Sequence, residues 1–166
     1  MTHTVSDNSP WSKLIWIAAI AVLADQVTKA VVNHTIALYQ TIVVIPGFFN
    51  LVHIRNPGGA FGFLSSQHPY LRIFFFLILS VVASGLVVYF YRQTPRNQPW
   101  LSTAFALIFG GAVGNLIDRF RLGKVIDFLD LYVGGWHWPA FNVADSCISI
   151  GMVIVLFHLL FRKWPQ

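Results

Sequence analysis

Apolar residues gather along this chain in four long blocks, at about 14–32, 71–91, 100–117 and 141–161, separated by polar or mixed stretches. A helix needs roughly 20 mostly apolar residues to cross a hydrocarbon layer about 30 Å thick. All four blocks approach that length, and none alternates apolar and polar positions as a half-buried strand does. Trp11, Trp16, Tyr70, Tyr89, Tyr91, Trp100 and Trp164 stand near block ends, where amphipathic rings settle at a membrane–water interface. The pattern predicts an all-α membrane bundle of four transmembrane helices, with residues 1–166 forming a single integral membrane domain. A cleavable signal peptide is the other reading of the first block. Its length, the presence of Asp25 and Lys29, and the three spans that follow favour a retained helix.

Four spans return both termini to one side. The connector at 92–99, RQTPRNQP, is a short polar turn on that side, and residues 33–70 and 118–141 lie on the other. The first of these loops carries β-branched, extended stretches within TIVVIPGFFNLVHI. They predict a small β-sheet lying on the membrane surface between helices 1 and 2. The second loop holds three Asp, three basic residues and the aromatic run GGWHWPAF. Chemistry is expected on this loop-rich side.

Composition agrees with a lipid solvent. Hydrophobic residues make up 56% and charged residues 10%, against roughly 25% charged in a soluble domain. The six acids are all Asp, with no Glu, so few carboxylates serve only to solvate helix faces. The net charge of +5 comes from cations scattered between apolar runs. No basic stripe interleaves with aromatics, so nucleic acid is not an expected partner. Five flanking cations fall on each side of the spans, and the positive-inside rule therefore leaves orientation open. The single Cys147 forms no internal disulfide and reads as a small buried hydrophobe within SCISIGMVIV.

Ionisable side chains inside membrane segments are costly unless paired or hydrated, which marks them as functional candidates. Asp25 and Lys29 are four apart, share a helix face and can pair. Gly110 and Gly114 make a small face for close helix approach. Asn115, Asp118 and Arg119 follow within about one turn, where an Asp–Arg pair at a helix end is a common structural feature. Asp127 stands among Val125, Ile126 and Phe128, and burial among apolar neighbours raises a carboxyl pKa. Asn142 and Asp145 are three apart, with Pro139 and Asn142 as candidate helix starters. Asp145 would be favoured there by the helix dipole alone. If Asp127 and Asp145 face each other, they share a proton and titrate as a pair, the general acid–base arrangement of aspartic proteases. Arg55 and Asn56 precede Gly58 and Gly59 in a turn that could hold an extended peptide. The six histidines show no metal-ligand spacing, and the serines lie in no nucleophile-elbow motif.

Four blocks in order, DQVTK (25–29), RNPGGAFGFL (55–64), GNLIDRFRLGKVIDF (114–128) and FNVADS (141–146), make the chain resemble the bacterial lipoprotein signal peptidases, the signal peptidase II family, from about 14 to 161. The resemblance implies an aspartic endopeptidase with Asp127 and Asp145 as its catalytic dyad. It implies that Asn56, Asn115, Arg119 and Asn142 support the site or contact substrate, and that Asp25 and Lys29 help maintain it. Asp118 reads as structural. The implied substrates are diacylglyceryl-modified prolipoproteins, cleaved just before the lipidated cysteine, with membrane lipids as the other partners. No cofactor or metal is implied, and a monomer is the simplest assembly. The family also implies a multi-pass protein of the bacterial plasma (inner) membrane with cytoplasmic termini. The sheet and the active site would then lie near the outer, periplasmic interface. Gly59 replaces an Ala that many members carry, which bears on fine substrate preference. A small ion or proton transporter is one rival, since intramembrane Asp and Lys also mark such pathways. A non-enzymatic membrane scaffold is the other, although it gives no reason for two Asn-x-x-Asp pairs at one interface.

Overall fold

Two prolines set where the second and third helices begin. Pro69 and Pro99 occupy the first turns of their helices, where a missing N–H costs nothing and the fixed φ suits the helix. The protein, seen here in a computed structural model, is described over residues 10–58 and 68–161. Gly59, Ser65, Ser66, Arg162, Lys163 and Trp164 lie outside the described residues. In chain order the elements are α1 (Pro10–Thr35), β1 (Thr41–Ile45), β2 (Phe49–Asn56), α2 (Pro69–Gln93), α3 (Pro99–Leu122), β3 (Val125–Val133), β4 (Trp136–His137) and α4 (Val143–Phe161).

All four helices are long and apolar enough to cross a membrane, and they coincide with the four apolar blocks. Their ends differ from the hydropathy edges. α3 continues past 117 to Leu122 because its last turn, although polar, stays helical until Gly123. That glycine adopts φ 66°, in the left-handed region that side chains disfavour, and its N–H donates to Arg119 O at 2.9 Å. α4 starts at Val143 rather than 141, since Phe141 is held in a bridge to Leu129. Pro139 lies before the helix rather than in it.

α3 packs against α1, α2 and α4. A Cβ on Gly110 would come within 2.8 Å of Ala21 Cβ, and one on Gly111 would overlap Ala144 O. The α3 backbone therefore approaches both neighbours as closely as missing side chains permit. α2 is different: only Phe76 and Tyr91 are buried along it, and Phe74, Leu79, Val82 and Leu86 are exposed. In a multi-pass membrane protein such a surface faces lipid tails.

The expected sheet is present, but only half of it comes from the loop between helices 1 and 2. It is a four-stranded antiparallel sheet in the order β1-β2-β3-β4, with two strands from each long loop. Asn56 pairs with Val125, Arg55 with Ile126 and Ile54 with Asp127. The run VIDFLDLYV supplies β-branched and aromatic residues suited to a strand. Ile126 and Phe128 pack on Val32 and Ile36 at the end of α1. The sheet is thereby seated on the bundle, with Asp127 placed above α3 and α4.

Candidate active site

The start of α4 is closed by two side chains acting reciprocally. Asp145 N donates to Asn142 Oδ1 at 2.9 Å, and Asn142 N donates to Asp145 Oδ2 at 3.3 Å. This is a capping box built from Asn and Asp. Ala144 N, another early donor with no partner inside the helix, donates to Asp25 Oδ1 at 2.9 Å. Asp25 on α1 is thus a cap for α4.

The same Asn142 reaches Asp127. Its Nδ2 donates to Asp127 Oδ1 at 2.8 Å, and Asn56 Nδ2 donates to Asp127 Oδ2 at 3.1 Å. Asn56 is itself oriented by Gly58 N, which donates to its Oδ1 at 3.0 Å. Across the site, Asn115 Nδ2 donates to Asp145 Oδ1 at 2.7 Å. All four carboxylate oxygens therefore accept from neutral N–H groups. Burial, and then the charge of Asp145, push Asp127 up to about 7, against the hydrogen bonds from Asn56 and Asn142 and the charge of Lys29.

Both carboxylates line one cavity of about 260 Å³, together with Asn56, Gly58, Asn115, Arg119, Val125 and residues 138–141. The structure thus gathers Asp127, Asp145, Asn56, Asn115 and Arg119 around a single space, with the buried Asn142 bonded to both acids behind it. Arg119 does not pair with Asp118 as their adjacency suggested. Its Nη1 donates to Asn115 O at 3.2 Å, and its Cζ lies 5.6 Å from the centre of the Phe76 ring, a cation–π distance. Neighbours in sequence on a helix point about 100° apart, so Arg119 turns toward α2 and the cavity while Asp118 turns toward α1.

Beneath this space, Lys29 Nζ meets Asp25 Oδ2 and Asp118 Oδ2, each at 2.8 Å, and donates to Asn115 Oδ1 at 3.0 Å. Asp25, Lys29 and Asp118 are all buried. Asp25 and Lys29 do pair, yet the second carboxylate, from another helix, was not evident from spacing. Asp118 Oδ2 also accepts from Ile126 N at 3.2 Å, which ties α3 to β3. Gln26 was missed altogether. Its Nε2 donates to Asp118 Oδ1 at 3.0 Å, Asp25 Oδ2 at 3.1 Å and Gly114 O at 3.2 Å. Its place between Asp25 and Lys29 was the available signal. Cys147 is half-buried rather than buried. Among the described residues, no group of three His, Cys, Asp or Glu side chains is placed to hold a metal ion.

Comparison with known proteins places this geometry in context. A family model described as "Signal peptidase (SPase) II" matches residues 17–161. A protein of Desulforapulum autotrophicum named lipoprotein signal peptidase is 52% identical, covering 93% of this chain and 95% of the relative. One of the same name from Alteromonas mediterranea is 46% identical over 89% of this chain and 80% of its own. A solved structure described as a bacterial membrane enzyme superposes with TM-score 0.81 at 34% identity, covering 93% of this chain and 94% of that one.

Proposed function

The chain belongs to the signal peptidase II family, and from that premise we propose that it is an aspartic endopeptidase acting on diacylglyceryl-modified prolipoproteins. It removes their signal peptides by cutting just before the lipidated cysteine. The observation that carries the aspartic mechanism is that Asp127 and Asp145 line one cavity and, among the described residues, accept hydrogen bonds from neutral groups. With no cation of the described residues bonded directly to either carboxylate, one of the two can stay protonated.

The dyad then works as a general acid and base. One carboxylate takes a proton from water as the water oxygen bonds to the scissile carbonyl carbon. The protonated partner gives its proton to the carbonyl oxygen, forming a gem-diol. Collapse returns a diol proton to the second carboxylate while the first protonates the leaving nitrogen, and the C–N bond breaks. The dyad ends with the single proton it began with. Asn56, Asn115 and Asn142 hold the carboxylates in place, and Arg119 offers its remaining N–H groups to substrate. Asp25 and Lys29 support the site from within the bundle. The protein works as a monomer in the plasma membrane, with both termini cytoplasmic and the sheet and dyad at the outer interface. Signal helix and diacylglyceryl chains stay in the bilayer while the peptide reaches the cavity.

Asp127→Asn and Asp145→Asn test this directly. Each should leave a folded protein, judged by an unchanged thermal midpoint in detergent, whose processing of a lipidated prolipoprotein falls by about 10²–10⁴-fold or more. Processing that survives either change defeats the proposal.

A further inference from the structure

One wall of the catalytic cavity belongs to neither the helices nor the sheet. Residues 138–141 line the cavity and follow directly on β4, in a stretch without helix or strand apart from the Phe141 bridge. The backbone is attached at both ends: Trp138 N donates to Leu131 O at 2.8 Å, and Phe141 N to Leu129 O at 3.0 Å. The approach to this wall is fixed by a side-chain cluster with no part in the proton transfers. His137 Nδ1 lies 2.9 and 3.1 Å from the two oxygens of Asp130. Since a carboxylate only accepts, that nitrogen is the donor. Asp130 is buried and also accepts from Asn50 Nδ2 at 2.8 Å. The His137 ring stacks on Tyr132, with centroids 5.0 Å apart and planes 8° from parallel. Tyr132 Oη in turn accepts from Gly47 N at 2.8 Å, in the turn between β1 and β2. The two-residue β4, with exposed Trp136 in it and exposed Trp138 just after it, is thus tied to β3, to Asn50 of β2 and to the turn between β1 and β2.

We infer that His137, through Asp130 and Tyr132, is a positioning residue that sets the substrate-binding wall at 138–141, with Trp138 as the surface that meets substrate. The inference rests on the peptidase reading above. A wall that touches substrate equally in the ground state and the transition state affects KM and leaves kcat alone. A hairpin that merely stabilises the fold would change the amount of active enzyme, lowering apparent kcat with KM unchanged.

The test uses the full-length enzyme in detergent micelles with a lipidated prolipoprotein peptide. His137→Phe keeps a ring against Tyr132 and deletes the donor. It should raise KM about fivefold, as expected for one lost hydrogen bond, with kcat within about twofold. His137→Asn retains a donor near the Nδ1 position and should bring KM most of the way back. Asp130→Leu, which removes the acceptor and so breaks the same contact, should raise KM in the same direction. Trp138→Ala should raise KM as well, and adding His137→Phe to it should have little further effect, because both act through one wall. A fall in kcat with KM constant, no change in either constant, or full additivity of the 137 and 138 variants would each overturn the inference. Asp127→Asn runs alongside as the control. Cleavage surviving that change defeats the dyad and this inference together. An unchanged KM in the His137 variants, in an enzyme that Asp127→Asn silences, defeats this inference alone.

Discussion

Two pairs of carboxylates, all buried except the half-buried Asp145, belong to one connected network, and their partners differ in kind. Asp25 and Asp118 both meet the ammonium of Lys29. Asp127 and Asp145 are held by Asn56, Asn115 and Asn142 and by backbone N–H. A cation at contact distance stabilises ionised carboxylates and ties them to a structural task. Amide donors favour the charged form less strongly than a contacting cation does, so burial can still leave a proton to be held or passed on. Asn115 joins the two groups: its Oδ1 accepts from Lys29 and its Nδ2 donates to Asp145. Because Lys29 engages the amide oxygen, the amide nitrogen must face the dyad. The ionic group thereby orients the proposed dyad without placing the ammonium in contact with it.

The sharpest way to break this contrast is Lys29→Met. It strands two buried carboxylates and should cost about 3–5 kcal/mol, read as a large fall in thermal midpoint in detergent. Adding Asp25→Asn and Asp118→Asn should recover much of it. A Lys29→Met protein as stable as the parent would show that the lower cluster is not structural. Next in size is pH. Asp127 is raised from 3.8 to about 7, so the folded state holds its proton more tightly than the unfolded state. The associated stability is fully present below about 4 and is lost as pH rises through about 7. Activity that needs one shared proton should decline above that point by about tenfold per pH unit. A kcat/KM profile that stays flat to pH 9 contradicts the shared proton. Gln26→Ala is the mildest probe. It removes a donor from Asp25 and Asp118 while leaving their contacts with Lys29, and should cost about 1 kcal/mol. Activity of the folded enzyme should be unaltered.

The sequence made the helices legible because lipid imposes a length on apolar runs, and the acids stood out because few occur. The reach of α3 to Leu122 was hidden, since its last turn looks like a loop by hydropathy and is ended by backbone geometry at Gly123. Pairing of Asn56 with Val125 joins segments about seventy residues apart, and no local pattern reveals a register of that kind. Spacing found Asp25 with Lys29 because both lie on one helix. It missed Asp118 as the second carboxylate on Lys29, and it put Asp118 beside Arg119, because contacts between helices depend on rotation about axes that composition does not set. The shared space around Asp127 and Asp145 was anticipated, whereas the amides that hold each oxygen emerged only from the fold.

Asn142 and Asp145 both belong to the start of the last helix, while Asp127 lies upstream of it. A ribosome delivers these parts in order, so a nascent chain with three inserted spans has Asp127 and Asn56 but neither Asn142 nor Asp145. If the proposed dyad does the hydrolysis, competence arrives with the final span, in the same event that caps its first turn. On that proposal, chains stalled or truncated before that point are expected to be inert toward peptide bonds, so that assembly itself guards against premature cleavage.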